Sequence, residues 1–353
     1  MSRWVKKNYP DVKSDLCTCF IERNLSLAKV GGFASLVTSD TCMYLSSFVA
    51  MRASLVESNT ILTFVDTRGT NAHPDVFDAN AIWVLRHGRL DGYKGSYFKL
   101  NHRIPEKAGA LLEAIQNPDC GWFYRRDAET FKQIPGTPIA YWAPVSMGLN
   151  YENAVDVDDI SEFTGSQNIT ADNAKFLRLW WEISHSAVGE GSRWISYAKG
   201  GDYRKWFGNM NHVVDWSEDA RLFYETNSTS NKLQDKYCFK EGITYTDITS
   251  GGQHFRYLPD TGAFDKAGPS ICCLGDNLYP LLGLFNSSVA ALYYSALNPT
   301  IHLQVKDVKQ MPINSDCLGD EHITHLSKNS VSLSKSDWDT FETSRDFKRH
   351  PLV

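Results

Sequence analysis

The feature that most limits how this chain can fold lies between residues 14 and 85, where helical and strand patterns alternate. Ser14 or Asp15 can cap a helix that runs to about Lys29 and stops at Gly31. Leu16, Phe20 and Leu27, joined by Ile21 and Leu25, predict a broad apolar face on it. A short apolar strand follows, Phe33 to Thr38. A second helix, Ser47 to about Glu57, carries Phe48, Met51 and Leu55 at helical spacing, and Ile61 to Val65 and Ala81 to Leu85 read as further buried strands. Helices and strands in this order predict half of an open α/β sheet.

The pattern then breaks up. Pro105 opens a short helix through Ile115, and Pro118, Pro135, Pro138 and Pro144 punctuate loops. The acidic run from Glu152 to Glu162, with Asp156, Asp158 and Asp159, reads as an exposed linker. A boundary near Asp159 divides the chain into residues 1–158, 159–315 and a polar C-terminal segment, 316–353. Within the second part, Asp172 can cap a helix through Ile183. The apolar run Leu278 to Leu297 is interrupted by Pro280, Asn286, Ser287, Ser288 and Ser295, so it reads as one mostly buried helix and not a membrane span. The last forty residues are rich in Ser, Asp and Lys, which predicts an exposed helix and tail.

One stretch stands apart in chemistry. From Trp194 to Asn209, Lys199, Arg204 and Lys205 alternate with Trp194, Tyr197, Tyr203, Trp206 and Phe207. Cations attract phosphate and flat rings offer faces to bases. Gly200-Gly201 permits a tight turn or a close approach. A β-hairpin with an aromatic core face and solvated lysines fits the same residues. The formal net charge is −5, so any nucleic-acid surface must be a local patch. Such a patch is available: between Asn173 and Lys205, Lys175, Arg178, Arg193, Lys199, Arg204 and Lys205 face only Glu182, Glu190 and Asp202.

Other chemistry is sparse. Eight cysteines without CxxC spacing and without a signal peptide read as reduced thiols in the cytoplasm. His322-x-x-His325 with Cys317 falls short of a zinc site, so no metal is expected.

The stretch Lys199-Gly-Gly-Asp-Tyr-Arg-Lys-Trp-Phe-Gly-Asn209, followed by Val213-Val-Asp-Trp216, resembles the target-recognition region of BREX phage-defence adenine methyltransferases, the PglX family. Further segments resemble the family in order: Ile134 to Trp142, Lys240 to Tyr245, Phe255 to Pro259, Asp337 to Ser344, and His350 to Leu352. The resemblance covers nearly all 353 residues. It implies a partial Rossmann-like methyltransferase sheet (an α/β fold of the gamma class, type IIG-like) followed by an α+β target-recognition domain. It also implies transfer of a methyl group from S-adenosylmethionine to N6 of an adenine flipped out of double-stranded DNA. In the family, an aromatic at the position of Phe20 lies against the cofactor, and one at the position of Phe77, after Val76, stacks on the flipped base. Lys199, Gly200, Gly201, Tyr203, Arg204, Lys205, Trp206 and Asn209 are the implied DNA-binding residues. Arg204 and Lys205 are expected to meet phosphate.

The sequence has no Gly-rich strand–turn–helix near residue 1 and no Asn-Pro-Pro-Tyr or Asp-Pro-Pro-Tyr. In the family both precede the matching segments. The expectation is therefore the C-terminal part of a longer enzyme, with weak or absent cofactor binding and no methylation on its own, partnered by a separate N-terminal half. The alternative is a non-catalytic DNA-recognition module working with such a half. A third reading is the remnant of a broken gene.

Overall fold

The computed structural model describes residues 2–67, 80–101, 106–163, 167–350 and 352. The chain forms two compact units: residues 1–152 with 296–299, and residues 153–295 with 300–353.

Unit 1 begins with helices α1 (Ser2–Asn8) and α2 (Leu16–Leu27). Asp15 caps α2 through the Cys17 amide, 2.8 Å away, and Gly31 turns the chain with φ = 84°. Strand β1 (Phe33–Ser39), helix α3 (Val49–Ser58), strands β2 (Asn59–Asp66), β3 (Asn80–His87) and β4 (Lys94–Lys99), helix α4 (Lys107–Gln116), strand β5 (Phe123–Asp127) and helix α5 (Val145–Leu149) complete the unit. The strands make one mixed sheet in the order β1-β3-β2-β4-β5. Only β2 and β4 run parallel; the other neighbours are antiparallel. The expected α/β sheet is present.

Strand alternation sorts the side chains into two layers. Trp83, Leu85, Ile61, Phe64 and Tyr97 pack with Ile21 and Leu25 of α2 and with Met51, Leu55 and Val56 of α3. Val65, Phe98 and Leu100 pack with Ala110 and Ala114 of α4. Trp83 lies edge-on to Phe64 at 4.6 Å and donates from Nε1 to Thr38 Oγ1 at 2.9 Å. The broad apolar face expected on α2 is corrected in part. Ile21 and Leu25 are buried, but Leu16, Phe20 and Leu27 are exposed. One side of a helix reaches the sheet, and five apolar positions spread over more than one side. Strand β1 forms one edge of the sheet: its only partner among the described residues is β3, and Phe33 and Val37 point outward, 68% and 66% exposed.

Unit 2 holds two four-stranded sheets. The first has the order β11-β10-β13-β6 and the second β12-β8-β9-β7. In chain order the elements are β6 (Glu162–Phe163), α6 (Asn173–Phe176), β7 (Leu177–Leu179), β8 (Trp194–Ala198), β9 (His212–Asp215), α7 (Glu218–Thr226), β10 (Gly242–Tyr245), β11 (Phe255–Leu258), β12 (Gly262–Phe264), β13 (Ser270–Cys272), α8 (Leu278–Phe285), α9 (Ser288–Leu297), α10 (Val305–Lys309) and α11 (Glu321–Trp338). The core gathers Phe176, Leu177, Ile195, Tyr197, Val214, Tyr224, Leu233 and Phe264.

Four sequence expectations are corrected here. The helix from Asp172 stops at Phe176, because Leu177–Leu179 pairs with His212–Val214 as a strand; ladder hydrogen bonds outweigh helical propensity. The run 278–297 is two helices, since Asn286 ends α8 and turns its side-chain amide to the Phe255 backbone. The acidic run is not a free linker: Val157 is buried, Val155 pairs with Ile313, and Asp158 accepts from Lys309 at 2.8 Å. The C-terminal helix, α11, and the tail after it are anchored and not simply exposed, with Ser327 and Val331 of the helix and Ser344 of the tail buried. Among the described residues, no helix is long and apolar enough to cross a membrane.

Candidate nucleic-acid interface

β8 ends at Ala198, and the chain must leave the sheet close beside Ala267. Gly200 makes the exit with φ = 78°; a Cβ there would stand 2.5 Å from the Ala267 carbonyl oxygen. Only glycine fits without a backbone shift. Gly201 continues at φ = 130°, its carbonyl accepting from Thr246 Oγ1 at 3.1 Å. Trp206 and Asn209 are also left-handed, at φ = 73° and 61°. Non-glycine residues hold that conformation only where their surroundings fix it. The Trp206 amide donates to the Phe255 carbonyl at 2.8 Å, and the Tyr257 amide donates to the Trp206 carbonyl at 2.7 Å. Asn209 Nδ2 donates to the Asp202 carbonyl at 2.9 Å.

The cations of this loop are held within the chain. Lys199 Nζ lies 3.6 Å from Asp265, which also accepts from Tyr197 Oη at 2.9 Å. Lys205 Nζ donates to the Asn286 carbonyl at 2.7 Å. Arg204 donates from Nε to the Phe207 carbonyl at 2.9 Å and from Nη2 to Asp337 at 2.5 Å, with its guanidinium 5.0 Å from the Trp338 ring centre. Ser334 Oγ donates towards the Lys205 and Phe207 carbonyls, 3.1 Å from each. Asp202 and Tyr203 form the exposed tip; Tyr203 packs edge-on against His254 at 5.0 Å.

Beneath the loop sit His254 and Arg256, both buried. Burial pushes the His254 imidazole below its ordinary value; the Gly252 carbonyl partly opposes this, and nearby Arg256 and Lys205 reinforce it. Burial alone lowers Arg256 to about 10. Arg256 reaches Thr246 Oγ1 at 3.2 Å and the Arg204 carbonyl at 3.4 Å. Next to the loop, a groove of about 360 Å³ is lined by Thr170, Asn173, Lys199, Ile248, Asp265 and Lys266, among others.

Sequence segments scattered over more than 130 positions thus converge here: the Lys199–Asn209 stretch, Thr246 just beyond Lys240–Tyr245, the Phe255-Arg-Tyr segment, and Asp337-Trp338. The supporting residues Thr246, His254, Asn286 and Ser334 were not identified from sequence. Each is a single polar residue with no local pattern, and only its distant partner gives it a role. Phe20 projects from α2 with its ring 58% exposed. An aromatic face open in this way fits the flat adenosyl part of S-adenosylmethionine, whose sulfonium supplies a methyl group. Phe77 and Val76 lie outside the described residues.

Comparison with known proteins shows what the chain is similar to. The family model of the Eco57I restriction-modification methylase matches residues 1–73. All of this chain aligns at 30% identity with 29% of the adenine-specific methyltransferase BrxX of Escherichia coli O9:H4 (strain HS). All of it aligns at 29% identity with 31% of the adenine-specific methyltransferase PglX of Lacticaseibacillus casei (strain Zhang). The chain therefore spans less than a third of the length of these curated relatives. Among solved structures, the Type IIL restriction-modification enzyme MmeI, in complex with DNA, overlaps 94% of this chain and 44% of its own, at 11% identity and a TM-score of 0.47; a likeness at that level carries no weight here. Over its whole length this chain is a homologue of the BREX adenine-specific methyltransferases BrxX and PglX.

Proposed function

We propose that this chain supplies part of the catalytic sheet and the target-recognition domain of a cytoplasmic, site-specific DNA adenine-N6 methyltransferase of a BREX phage-defence system. The end-to-end homology carries this reading. Unit 1 corresponds to the catalytic part, residues 1–158 in the sequence division, and unit 2 to recognition, with residues 316–353 folded back as α11 and its tail. In unit 1, Phe20 offers a face to the cofactor's adenine, and Phe77 stacks on the flipped base. The outward-facing Phe33 and Val37 on the β1 edge give the rest of a methyltransferase sheet an apolar surface to join. In unit 2, Gly201, Tyr203 and Lys199 present the loop and groove to double-stranded DNA. Gly200, Arg204, Lys205, Trp206 and Asn209 fix the loop's shape.

Two measurements test this. The chain alone should bind duplex DNA by fluorescence anisotropy, and should bind S-adenosylmethionine weakly or not at all by calorimetry. Produced together with the N-terminal remainder of a PglX relative, it should yield N6-methyladenine detectable by long-read sequencing of host DNA. DNA binding without methylation favours the non-catalytic recognition module. The absence of both DNA binding and methylation overturns the proposal.

A further inference from the structure

The internal use of Lys199, Arg204 and Lys205 raises a question of charge. DNA affinity rests largely on cations that can neutralise phosphates, and these three already meet acceptors in the chain. The remaining cations of the locally positive segment stand differently. Lys175 is exposed on α6, with its ammonium over the Phe176 and Phe223 rings at 4.7 and 5.1 Å and no carboxylate partner among the described residues. Arg178, on the edge strand β7, donates only from Nη1, to the Ala174 carbonyl at 2.8 Å, the Leu177 carbonyl at 2.6 Å and the Lys175 carbonyl at 3.4 Å. Its Nε and Nη2 have no acceptor among the described residues. Arg193 has a 65% exposed side chain; it directs Nε and Nη2 to Asp215, and its Nη1 has no acceptor among the described residues.

Two of these side chains share one ring, and the third stands beside them in the chain. Arg178 and Arg193 both lie over the ring of Trp194, at 5.8 and 5.4 Å. Arg178 folds back on the helix that bears Lys175. Packing on rings restrains the cations while Arg178 Nε and Nη2 and Arg193 Nη1 keep no acceptor among the described residues, and this lowers the entropy lost when a phosphate binds. Asn173, at the start of the same helix, lines the groove that holds Lys199.

We propose that Lys175, Arg178 and Arg193 make the backbone-phosphate contacts of unit 2, and that Arg204 and Lys205 do not. This rests on the reading of unit 2 as a double-stranded DNA-binding domain and names which of its cations hold the duplex. Contacts of this kind set register and orientation without reading sequence.

The test is anisotropy of a labelled duplex titrated with the full chain over a range of salt concentrations. Lys175→Gln/Arg178→Gln should lower the slope of log K against log salt by about 0.9 per lost contact and weaken binding roughly tenfold or more at fixed salt. Arg193→Gln should remove one further contact. Lys175→Arg/Arg178→Lys keeps the charges and should keep the slope, which separates a phosphate role from a packing role. Lys175→Gln alone touches no hydrogen bond in the chain, so its slope stays interpretable if the double variant melts early. Lys205→Ala frees the loop from the Asn286 carbonyl and should lower affinity while leaving the slope unchanged. If the parent chain shows no DNA binding, the recognition reading falls and this proposal with it. If the parent binds and Lys175→Gln and Lys175→Gln/Arg178→Gln keep its slope and affinity, only the assignment of the surface is overturned.

Discussion

Arg204 Nη2 donates to the Asp337 carboxylate at 2.5 Å, joining residues 133 positions apart. The loop that the sequence marks as a DNA contact is therefore clamped to the end of α11. Asp337 has a 63% exposed side chain, so the ion pair itself contributes less than about 1 kcal/mol. The bonds from Arg204 to the Phe207 and Ser334 carbonyls and its position over Trp338 add more. Arg204→Ala should destabilise unit 2 by about 2 kcal/mol, and Asp337→Asn by under about 1 kcal/mol. Urea unfolding measures both, with hydrogen exchange of α11 as the local readout. Equal costs for the two variants would show that the carboxylate, not the backbone carbonyls, holds the clamp.

A second arginine plays the same part in unit 1. Arg52, almost fully buried on α3, donates to the carbonyls of Cys42, Leu45, Gly136 and Thr137 at 2.7–3.0 Å. Burial lowers its guanidinium to about 10, so it stays charged at neutral pH. Arg52→Met fills much of the space but leaves buried carbonyls unsatisfied. It should cost at least about 3 kcal/mol in chemical denaturation. Arg52→Lys should recover only part, because one ammonium cannot span both loops.

The burial of His254 predicts a pH response. A base held below its ordinary value of 6.5 binds its proton more weakly in the folded chain than in the unfolded one. Its neutral form therefore contributes fully above that value. The contribution erodes as pH falls from 6.5 towards the folded value. His212, also depressed by burial and by Lys199, acts in the same direction. Unit 2 should lose stability as the pH falls below about 6.5, read as a falling urea midpoint. His254→Gln should flatten that fall. If the variant tracks the parent across this range, the pH response comes from elsewhere.

Strands β1, β2 and β3 of unit 1 were legible because their signals are local, whereas β4 and β5, which fall where the sequence pattern breaks up, were not. The apolar runs Ile61 to Val65 and Ala81 to Leu85, and the Asp15 cap, lie within the elements they specify or next to them. Strand order was not legible, since the long-range register Phe33↔Arg86 leaves no mark in either segment. The same limit explains the misread helix after Asp172. Leu177-Arg178-Leu179 suits a helix by itself and becomes a strand only because His212–Val214 lies beside it. At the candidate interface, composition singled out the Lys199–Asn209 loop. The destination of each cation depended on Asp265, Asn286 and Asp337, far along the chain.

The last prediction separates exposure from function at Phe20. Its neighbours on α2, Ile21 and Leu25, enter the core, while the Phe20 ring is 58% exposed. A ring that only packed within this chain would be costly to remove, about 3–5 kcal/mol if fully buried. As it stands, Phe20→Ala should change stability by no more than about 0.5 kcal/mol, as surface substitutions do. When the chain is combined with the remainder of a PglX relative, the same variant should weaken S-adenosylmethionine binding by calorimetry while DNA affinity holds. Phe20→Tyr keeps the flat face and should retain most of the cofactor affinity. Unchanged cofactor affinity in Phe20→Ala, with the chain still folded, would remove Phe20 from the cofactor site.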